Sequence, residues 1–155
     1  MQTFKTFIFE DLAGSGNELY FAYGHNTNEK LLEKLSPHAH ILGRASVDGY
    51  KYVMRQYSDI IKDDNSTVQG ILWSIPKDRE GPINKYEEYY HRLHINVNYK
   101  GKQYKAFAFQ IDKKHYDGKT PSKEYIETIK DGYKENNIPL SQLDTALKDI
   151  NLSFH

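Results

Sequence analysis

Cysteine is absent from the 155-residue chain, which excludes a disulfide framework, a cysteine-bound zinc site and a thiol nucleophile. That absence also fits a reducing compartment. No stretch approaches the roughly 20 apolar residues that a membrane span requires. The short apolar run between Lys5 and Glu10 lacks the length and cleavage site of a signal peptide. We therefore expect a cytoplasmic protein that does not bind membranes.

An excess of charge of one sign is also missing, since 21 basic residues balance 21 acidic residues. A general nucleic-acid binder needs a basic excess to release counterions from phosphates, so we expect no nucleic-acid partner. What the chain does have in quantity is tyrosine, with 13 copies. Tyrosine combines a large apolar ring with a polar hydroxyl. The core or a pocket is therefore expected to be built largely from such rings.

The length fits one domain with its own core, and we assign residues 1–155 to a single domain. Residues 1–17 are interpreted as an N-terminal extension. Within it, Phe4, Phe7 and Phe9 alternate imperfectly with polar residues and predict an extra strand.

Strand patterns dominate the middle of the chain and helical patterns the last third. We predict strands over 19–23, 39–47, 50–57, 68–75, 92–99 and 103–111. Asp48-Gly49 and Lys100-Gly101 predict hairpin turns, and Lys62–Thr67 predicts a polar turn. Helices are predicted after Asn28, Gly81-Pro82, Pro121 and Pro139. This order predicts an α+β fold, a mixed β-barrel or sheet of about five to seven strands flanked by helices.

The first candidate site is Tyr23-Gly24-His25-Asn26, at the end of a buried strand and directly before a helix. Glycine allows a sharp turn, and backbone N–H groups exposed there can bind an anion. An ordinary strand-to-helix turn has the same local pattern, and that interpretation is favoured when the segment is taken alone.

The second candidate is Glu87 in the predicted helix after Pro82. A lone glutamate on a helix is most often a solvated surface charge, and the adjacent Glu88 fits the same description. Tyr86, Tyr89 and Tyr90 surround the pair, however, and burial among rings can raise the pKa of a carboxylate into the range of a general base.

The third candidate is Pro121-Ser122-x-x-Tyr125, where composition alone favours a helix start with Tyr125 in the core. His38 and His40 share one strand face. Without a third ligand they favour a polar surface over a zinc site.

Together these segments resemble the γ-glutamylcyclotransferase-like family, in particular the glutathione-cycle enzymes, with a variant active-site loop. The matching motifs are Leu19-Tyr-Phe-Ala-Tyr-Gly-His-Asn26, Val68-Gln-Gly-Ile-Leu-Trp73, Ile83-Asn-Lys-Tyr-Glu87, Tyr90-His-Arg92 and Pro121-Ser-Lys-Glu-Tyr125 with Gly132 and Ile138-Pro139-Leu140 after it. They occur in the family's order over about residues 19–147. The departures are His25 for Ser or Thr, Asn84 for Asp, Glu88 for Gly, and a shorter linker from Glu87 to Tyr90.

The resemblance implies an enzyme that cyclises a γ-glutamyl group, releasing 5-oxoproline and an amine or amino acid. Glu87, rather than Glu88, would be the catalytic acid–base, and the backbone from Gly24 to Asn26 would bind substrate oxygens. Tyr125 would hydrogen-bond the substrate from the opposite wall, and Tyr23 would close the pocket. The partner would be a small γ-glutamyl compound, with no metal and no cofactor. The alternative is a binding module on the same fold that holds such a compound, or another small anion, without turnover.

His25 is the least family-like residue of the loop, and two interpretations of it stay open. Its imidazole either faces the bound anion, so that carboxylate affinity strengthens as the pH falls toward about 6.5, or packs against the following helix.

Overall fold

The computed structural model describes residues 12–78 and 81–152. The strand predicted at Phe4–Phe9 lies outside this part of the chain. Within it, five strands form a closed barrel in the order β1-β3-β2-β4-β5. The strands are β1 Asn17–Ala22, β2 His40–Met54, β3 Ser58–Pro76, β4 Tyr90–Tyr99 and β5 Lys102–Ile111. The predicted α+β class with a mixed barrel is confirmed.

Two of the barrel's seams are short. Strand β1 pairs with β5 in parallel at Tyr20 and Phe107, whereas every other pair of neighbouring strands in the barrel is antiparallel. Strand β2 meets β4 at Ser46 and Asn98. The long antiparallel ladders β2–β3 and β4–β5 therefore carry most of the backbone pairing, and side chains must complete the closure.

The hairpin predicted at Asp48-Gly49 is wrong, because β2 continues through both residues. Gly49 has φ +83° and lies at a register shift between β2 and β3. A glycine adopts this conformation without a Cβ clash, and the extra bend is a β-bulge. The polar segment Lys62–Thr67, predicted as a turn, carries the extra residues of this bulge within β3. Tyr50 pairs with Lys62 and Asp48 with Thr67, so residues 63–66 lie opposite Gly49. By contrast, Lys100 and Gly101 do form the predicted hairpin, with φ +48° and +78°.

Beyond the bulge, the β2–β3 hairpin extends as far as its reversal at 55–57, and we call residues 50–62 the arm. The arm is anchored by three buried apolar side chains: Tyr52, Met54 and Ile60. Its second strand begins at Ser58, which is also buried and faces the end of β1. The arm therefore brings β3 residues to the place where the first strand ends.

The helices begin at the predicted places. Helix α1 is Glu29–Leu35, and the Asn28 side chain caps it by accepting from Leu31 N–H. Helix α2 is Lys123–Glu135, capped by Ser122, and α3 is Leu140–Asp149. Within 12–78 and 81–152, no helix is long and apolar enough to span a membrane.

The helix predicted after Gly81-Pro82 is a 3₁₀ helix, Pro82–Glu88. Proline fits its first turn because the missing N–H would have no partner there. Ile83 is buried and fixes the segment against the barrel. This short helix runs directly into β4, so its side chains lie at the same end of the barrel as the start of β4.

The core includes the chain's one tryptophan, Trp73 on β3, which pairs with Tyr20 across the β1–β3 ladder. Its side chain is 2% exposed. The indole N–H has no hydrogen-bond partner among the described residues. Trp73 therefore contributes packing area to the core.

Candidate functional site

A small cavity lies at the end of β1, where the strand turns into the 3₁₀ helix His25–Thr27. The residues that line it are Tyr20, Tyr23, Gly24, His25, Asn26, Ser58, Tyr86, Tyr90, Phe109 and Tyr125. Its volume of about 20 Å³ has room for about one water molecule. The lining side chains thus nearly fill the space between them.

The structure brings five of the six predicted site residues to this cavity. They are Tyr23, Gly24, His25, Asn26 and Tyr125. Two chain segments separated by about a hundred positions therefore meet, as the resemblance implied. Glu87 is not among the lining residues.

Close backbone contacts fix the loop at Gly24. A Cβ at this position would lie 2.7 Å from the Cβ and Oγ atoms of Ser58, so only glycine lets the arm approach. On the other side, α2 presses on the loop at Gly132, where a Cβ would lie 2.7 Å from Asn28 N. The Tyr133 hydroxyl of α2 donates to Tyr23 O at 2.6 Å. The loop is therefore held between the arm and α2.

His25 faces the cavity rather than packing only against the following helix. Its Nε2 atom lies 2.6 Å from the Tyr86 hydroxyl, and its ring centroid lies 5.1 Å from that of Tyr125. Burial lowers the pKa of His25 from 6.5 to about 4. The expectation that carboxylate affinity strengthens as the pH falls toward about 6.5 concerns the ligand-bound site and stays a prediction. The imidazole is neutral at physiological pH.

Asn26 ties the loop to two tyrosines of the cavity. Its Nδ2 atom donates to the Tyr20 hydroxyl at 2.9 Å, and its Oδ1 atom accepts from the Tyr86 hydroxyl at 3.4 Å. The residue is buried, so these bonds replace those that water would make. The Asn26 amide thereby fixes the relative positions of β1 and the 3₁₀ helix Pro82–Glu88.

The other two predicted tyrosines use their hydroxyls in bonds to the backbone. Tyr23 donates to Phe109 O, which fixes its ring against the wall formed by β5. Tyr125 accepts from Ser58 N–H at 2.8 Å, and its own O–H remains a donor. Tyr125 can therefore hydrogen-bond a ligand while still holding the arm.

Burial keeps the lining tyrosines protonated. It raises the pKa of Tyr125 to about 12, and the pKa values of Tyr20 and Tyr86 rise further. Desolvation also raises the pKa values of Tyr23 and Tyr90 well above the ordinary value. At neutral pH these hydroxyls are hydrogen-bond donors and acceptors, and they do not act as bases.

Glu87 lies outside the cavity in an ion pair. Its Oε1 atom is 2.5 Å from Arg92 Nε, and its side chain is 43% exposed. Glu88, which the sequence analysis did not predict to be catalytic, is exposed as well. Successive residues of a 3₁₀ helix point about 120° apart, so Tyr86 and Glu87 cannot both face the cavity. In this helix Tyr86 has the inward position.

Sequence reasoning missed five lining residues: Tyr20, Ser58, Tyr86, Tyr90 and Phe109. Three of them lie within motifs already quoted for the resemblance, so their tyrosine-rich pattern was a usable signal. Ser58 had none, because the hairpin reversal that carries it was predicted at Asp48-Gly49 instead.

Asp59, directly after Ser58, is the buried carboxylate of the arm. Its side chain is fully buried, and its oxygens accept from Arg55 Nε at 3.0 Å and from Ile111 N–H at 2.9 Å. Burial raises its pKa. The bond from Arg55 lies within the arm, whereas the bond from Ile111 N–H ties the arm to the end of β5, so Asp59 helps to position Ser58. Within the described ranges, no three His, Asp or Glu side chains come together as metal ligands would.

The fold is thus a five-stranded barrel with a small, ring-lined cavity at the end of its first strand, to which the β1 loop, the arm and α2 contribute. The family described as "Gamma-glutamyl cyclotransferase, AIG2-like" matches residues 20–128. The chain belongs to this family, as the motif resemblance predicted.

Individual relatives agree with this assignment. The chain is 24% identical over 150 residues to a γ-glutamylcyclotransferase from Bos taurus, covering 84% of this chain and 79% of that one. A solved γ-glutamyl cyclotransferase superposes with a TM-score of 0.72 at 22% identity, covering 90% of both chains. An uncharacterized protein from Homo sapiens also gives 0.72 at 22% identity, over 91% of this chain and 92% of that one. At these identities the two solved structures establish the fold.

Proposed function

We propose that the protein is a γ-glutamyl cyclotransferase-type enzyme, which converts a γ-glutamyl compound into 5-oxoproline and a free amine or amino acid. The observation that carries this proposal is the position of the cavity. All ten of its lining residues, from Tyr20 to Tyr125, fall within the segment 20–128 that matches the family. The chain's candidate site is thus made wholly from the part that it shares with cyclotransferases.

The reaction needs little beyond binding and proton transfer. The substrate's α-nitrogen attacks its own γ-carbonyl carbon, and holding both groups in one bent conformation supplies much of the rate acceleration. The backbone N–H groups of Gly24 to Asn26 would bind substrate oxygens, including the oxyanion that develops at the carbonyl. Tyr125, whose hydroxyl accepts from Ser58 N–H, would bind the substrate from the opposite wall.

The cavity must open before a substrate enters, since it holds about one water molecule. Tyr86 is the side chain best placed to move. It lies on a short 3₁₀ helix and its hydroxyl contacts His25 and Asn26. Its displacement would make room between the loop and α2 and would leave donors and acceptors on both residues for the ligand.

A panel assay tests the reaction directly. Purified protein would be incubated with γ-glutamyl dipeptides, γ-glutamyl amines and glutathione, and 5-oxoproline would be measured by mass spectrometry. We expect 5-oxoproline from at least one γ-glutamyl compound. The α-glutamyl isomers are matched controls, because the same groups are present but the geometry of attack differs. Absence of 5-oxoproline from every γ-glutamyl substrate would contradict the proposal.

A second function is supported by one observation. None of the lining residues carries a carboxylate, and Glu87 is paired with Arg92 outside the cavity. A binding module for γ-glutamyl compounds or other small anions would have this composition. Calorimetric binding of a γ-glutamyl compound, together with no 5-oxoproline, would favour this second function. The role of Glu87 in proton transfer stays a prediction from the resemblance, which Glu87→Gln tests.

A further inference from the structure

Aromatic rings form most of the cavity wall. Six of its ten lining residues are tyrosine or phenylalanine: Tyr20, Tyr23, Tyr86, Tyr90, Phe109 and Tyr125. The face of such a ring attracts a cation, and cages of several rings bind ammonium-type ligands. Burial lowers the pKa of His25 to about 4, so its imidazole carries no positive charge that would repel a cation at neutral pH. The wall is therefore suited to a positively charged group.

Ser58, on the arm, lies in this wall with each of its polar groups bonded to a tyrosine. Its N–H donates to the Tyr125 hydroxyl at 2.8 Å, and its carbonyl oxygen accepts from the Tyr90 hydroxyl at 3.2 Å. Its Oγ atom lies 2.7 Å from the Tyr52 hydroxyl. A Cβ on Gly24 would lie 2.7 Å from the same Oγ, so this atom is beside the loop that follows β1. These contacts fix the position of the Ser58 hydroxyl at the cavity.

A hydrogen-bond network behind Ser58 determines the direction of its hydroxyl proton. The network begins at Gln142 of α3, whose Oε1 accepts from Gln69 N–H at 2.7 Å. This contact identifies Gln142 Nε2 as the atom that donates to the Tyr133 hydroxyl at 2.9 Å. Tyr133 donates its one hydroxyl proton to Tyr23 O at 2.6 Å. Toward any further hydroxyl, Tyr133 can therefore only accept.

The further hydroxyl is that of Tyr52, which bonds to the Tyr133 oxygen. Because Tyr52 donates its proton to Tyr133, it accepts from the Ser58 hydroxyl. The Ser58 proton is thus directed to Tyr52, which is not among the lining residues. The Ser58 oxygen has two lone pairs, so a contact with the Tyr125 hydroxyl leaves one for a ligand. Ser58 therefore offers the cavity a hydrogen-bond acceptor.

We propose that the ring-lined cavity binds the α-ammonium of the γ-glutamyl group and that Ser58 Oγ accepts a hydrogen bond from it. The inference rests on the proposed cyclotransferase function for its substrate class, and it makes Ser58 a specificity-determining residue. Glu87 keeps the proton-transfer role that the resemblance implies. A nitrogen held at Ser58 would lie beside Gly24, where the loop N–H groups would bind substrate oxygens. Nucleophile and carbonyl would thereby meet at one wall.

Two ligands that differ only in the α-ammonium test the contact. L-glutamine and glutaramate share the γ-amide and the carboxylate, and titration calorimetry measures the dissociation constant of each. We expect the wild type to bind L-glutamine about 10-fold or more tighter than glutaramate. Ser58→Ala should weaken L-glutamine about 10-fold and glutaramate less than about 2-fold, because a hydrogen bond to a charged group is lost. Ser141→Ala, at an exposed serine outside the cavity, is the matched control and should behave as the wild type.

Tyr52→Phe provides a second variant that leaves Ser58 in place. Without the Tyr52 hydroxyl, the Ser58 proton can turn toward the cavity and compete with the ammonium for the same space. We expect L-glutamine to bind about 3-fold or more weaker and glutaramate to bind as in the wild type. Circular dichroism would verify that both variants are folded, and Tyr52→Phe decides the matter where Ser58→Ala does not fold.

The outcomes separate this inference from the proposed reaction. Equal wild-type affinity for the two ligands, or equal losses for both ligands in the variants, would overturn the inference. The cyclotransferase function would stand in that case if the panel assay still gives 5-oxoproline. A wild type that forms no 5-oxoproline, but whose preference for L-glutamine depends on Ser58, would overturn the cyclotransferase function and support the ammonium site in a binding module.

Discussion

At the scale of single residues, His25 is where the chain departs furthest from the family pattern. A histidine between two tyrosine rings is neutral in the folded chain because burial lowers its pKa to about 4. The same side chain in the unfolded chain takes up a proton at about pH 6.5. The residue therefore links the stability of the fold to pH.

The sign of this linkage follows from proton counts. Between about pH 6.5 and pH 4 the unfolded chain binds a proton at His25 that the folded chain does not, so the free energy of unfolding falls as the pH falls through this window. Over this window we expect the free energy of unfolding of the wild type to fall by on the order of 1 to 2 kcal/mol more than that of His25→Ser. This difference is smaller than the full pKa change implies, because the side chain is partly exposed. Urea unfolding at stepped pH values measures it. His38→Ser should behave as the wild type, and parallel curves for wild type and His25→Ser would show that His25 titrates normally.

At the scale of elements, the arm decides whether the site can form. It supplies Ser58, whose N–H bonds the Tyr125 hydroxyl and whose side chain lies against Gly24. Asp59 then fixes the arm to Ile111 at the end of β5. A contact distant in sequence thus positions one wall of the cavity.

We expect Asp59→Ala to lower the free energy of unfolding by about 3 to 5 kcal/mol, because it leaves Arg55 and the Ile111 N–H without their partner. Asp59→Asn should cost less, since its Oδ1 still accepts from Ile111. Asp64→Ala removes a carboxylate that is 86% exposed and paired with Lys62 at 3.4 Å, and should change stability by less than about 1 kcal/mol. Urea unfolding of all three gives the comparison. Equal stability for Asp59→Ala and Asp64→Ala would mean that the arm is held by its apolar side chains alone.

The elements that depend on local signals were predictable from the sequence. The helix starts after Asn28 and Pro121 and the hairpin at Lys100-Gly101 involve neighbouring residues, and these predictions are confirmed. The turn at Asp48-Gly49 was wrong because a bulge and a hairpin both favour glycine with positive φ, and only the pairing of β2 with β3 distinguishes them.

The candidate site was predictable to a similar extent. The loop from Tyr23 to Asn26 and the distant Tyr125 were found because a motif marks each of them. The outward position of Glu87 was not foreseen, since it depends on the 3₁₀ geometry of Pro82–Glu88, which turns Tyr86 inward. The sequence motif indicates which segment approaches the site, and the helix type determines which of its side chains faces the cavity.

At the scale of the whole molecule, Arg92 connects β1, β5 and the 3₁₀ helix Pro82–Glu88 beside the short seam between β1 and β5. Its guanidinium bonds Glu18 of β1 and both Asn84 and Glu87 of the 3₁₀ helix. It also lies 3.9 Å above the ring of Phe107 on β5. One side chain on β4 therefore contacts three other elements around the seam.

We expect Arg92→Met to lower the melting temperature by roughly 5 to 10 °C, because the nearly buried guanidinium is lost and the acceptors it served lose a partner. Differential scanning calorimetry measures this change. Arg44→Met removes an exposed arginine whose described bond is to Gln69, and should shift the midpoint by less than about 2 °C. A similar small shift in Arg92→Met would mean that the β1–β5 seam is stable without it.

The burial of Trp73 gives the molecule an internal optical reporter. The indole is 2% exposed and its N–H has no hydrogen-bond partner among the described residues, so it lies in an apolar environment. We therefore expect its fluorescence emission at the blue end of the tryptophan range. Tyr20 pairs with it across β1 and β3, and the chain contains 13 tyrosines that can transfer excitation energy to this one acceptor. Tyr20 also lines the cavity. Light absorbed by the tyrosines and emitted by Trp73 would therefore report in one signal on the integrity of the barrel and on movement of the residues that line the cavity.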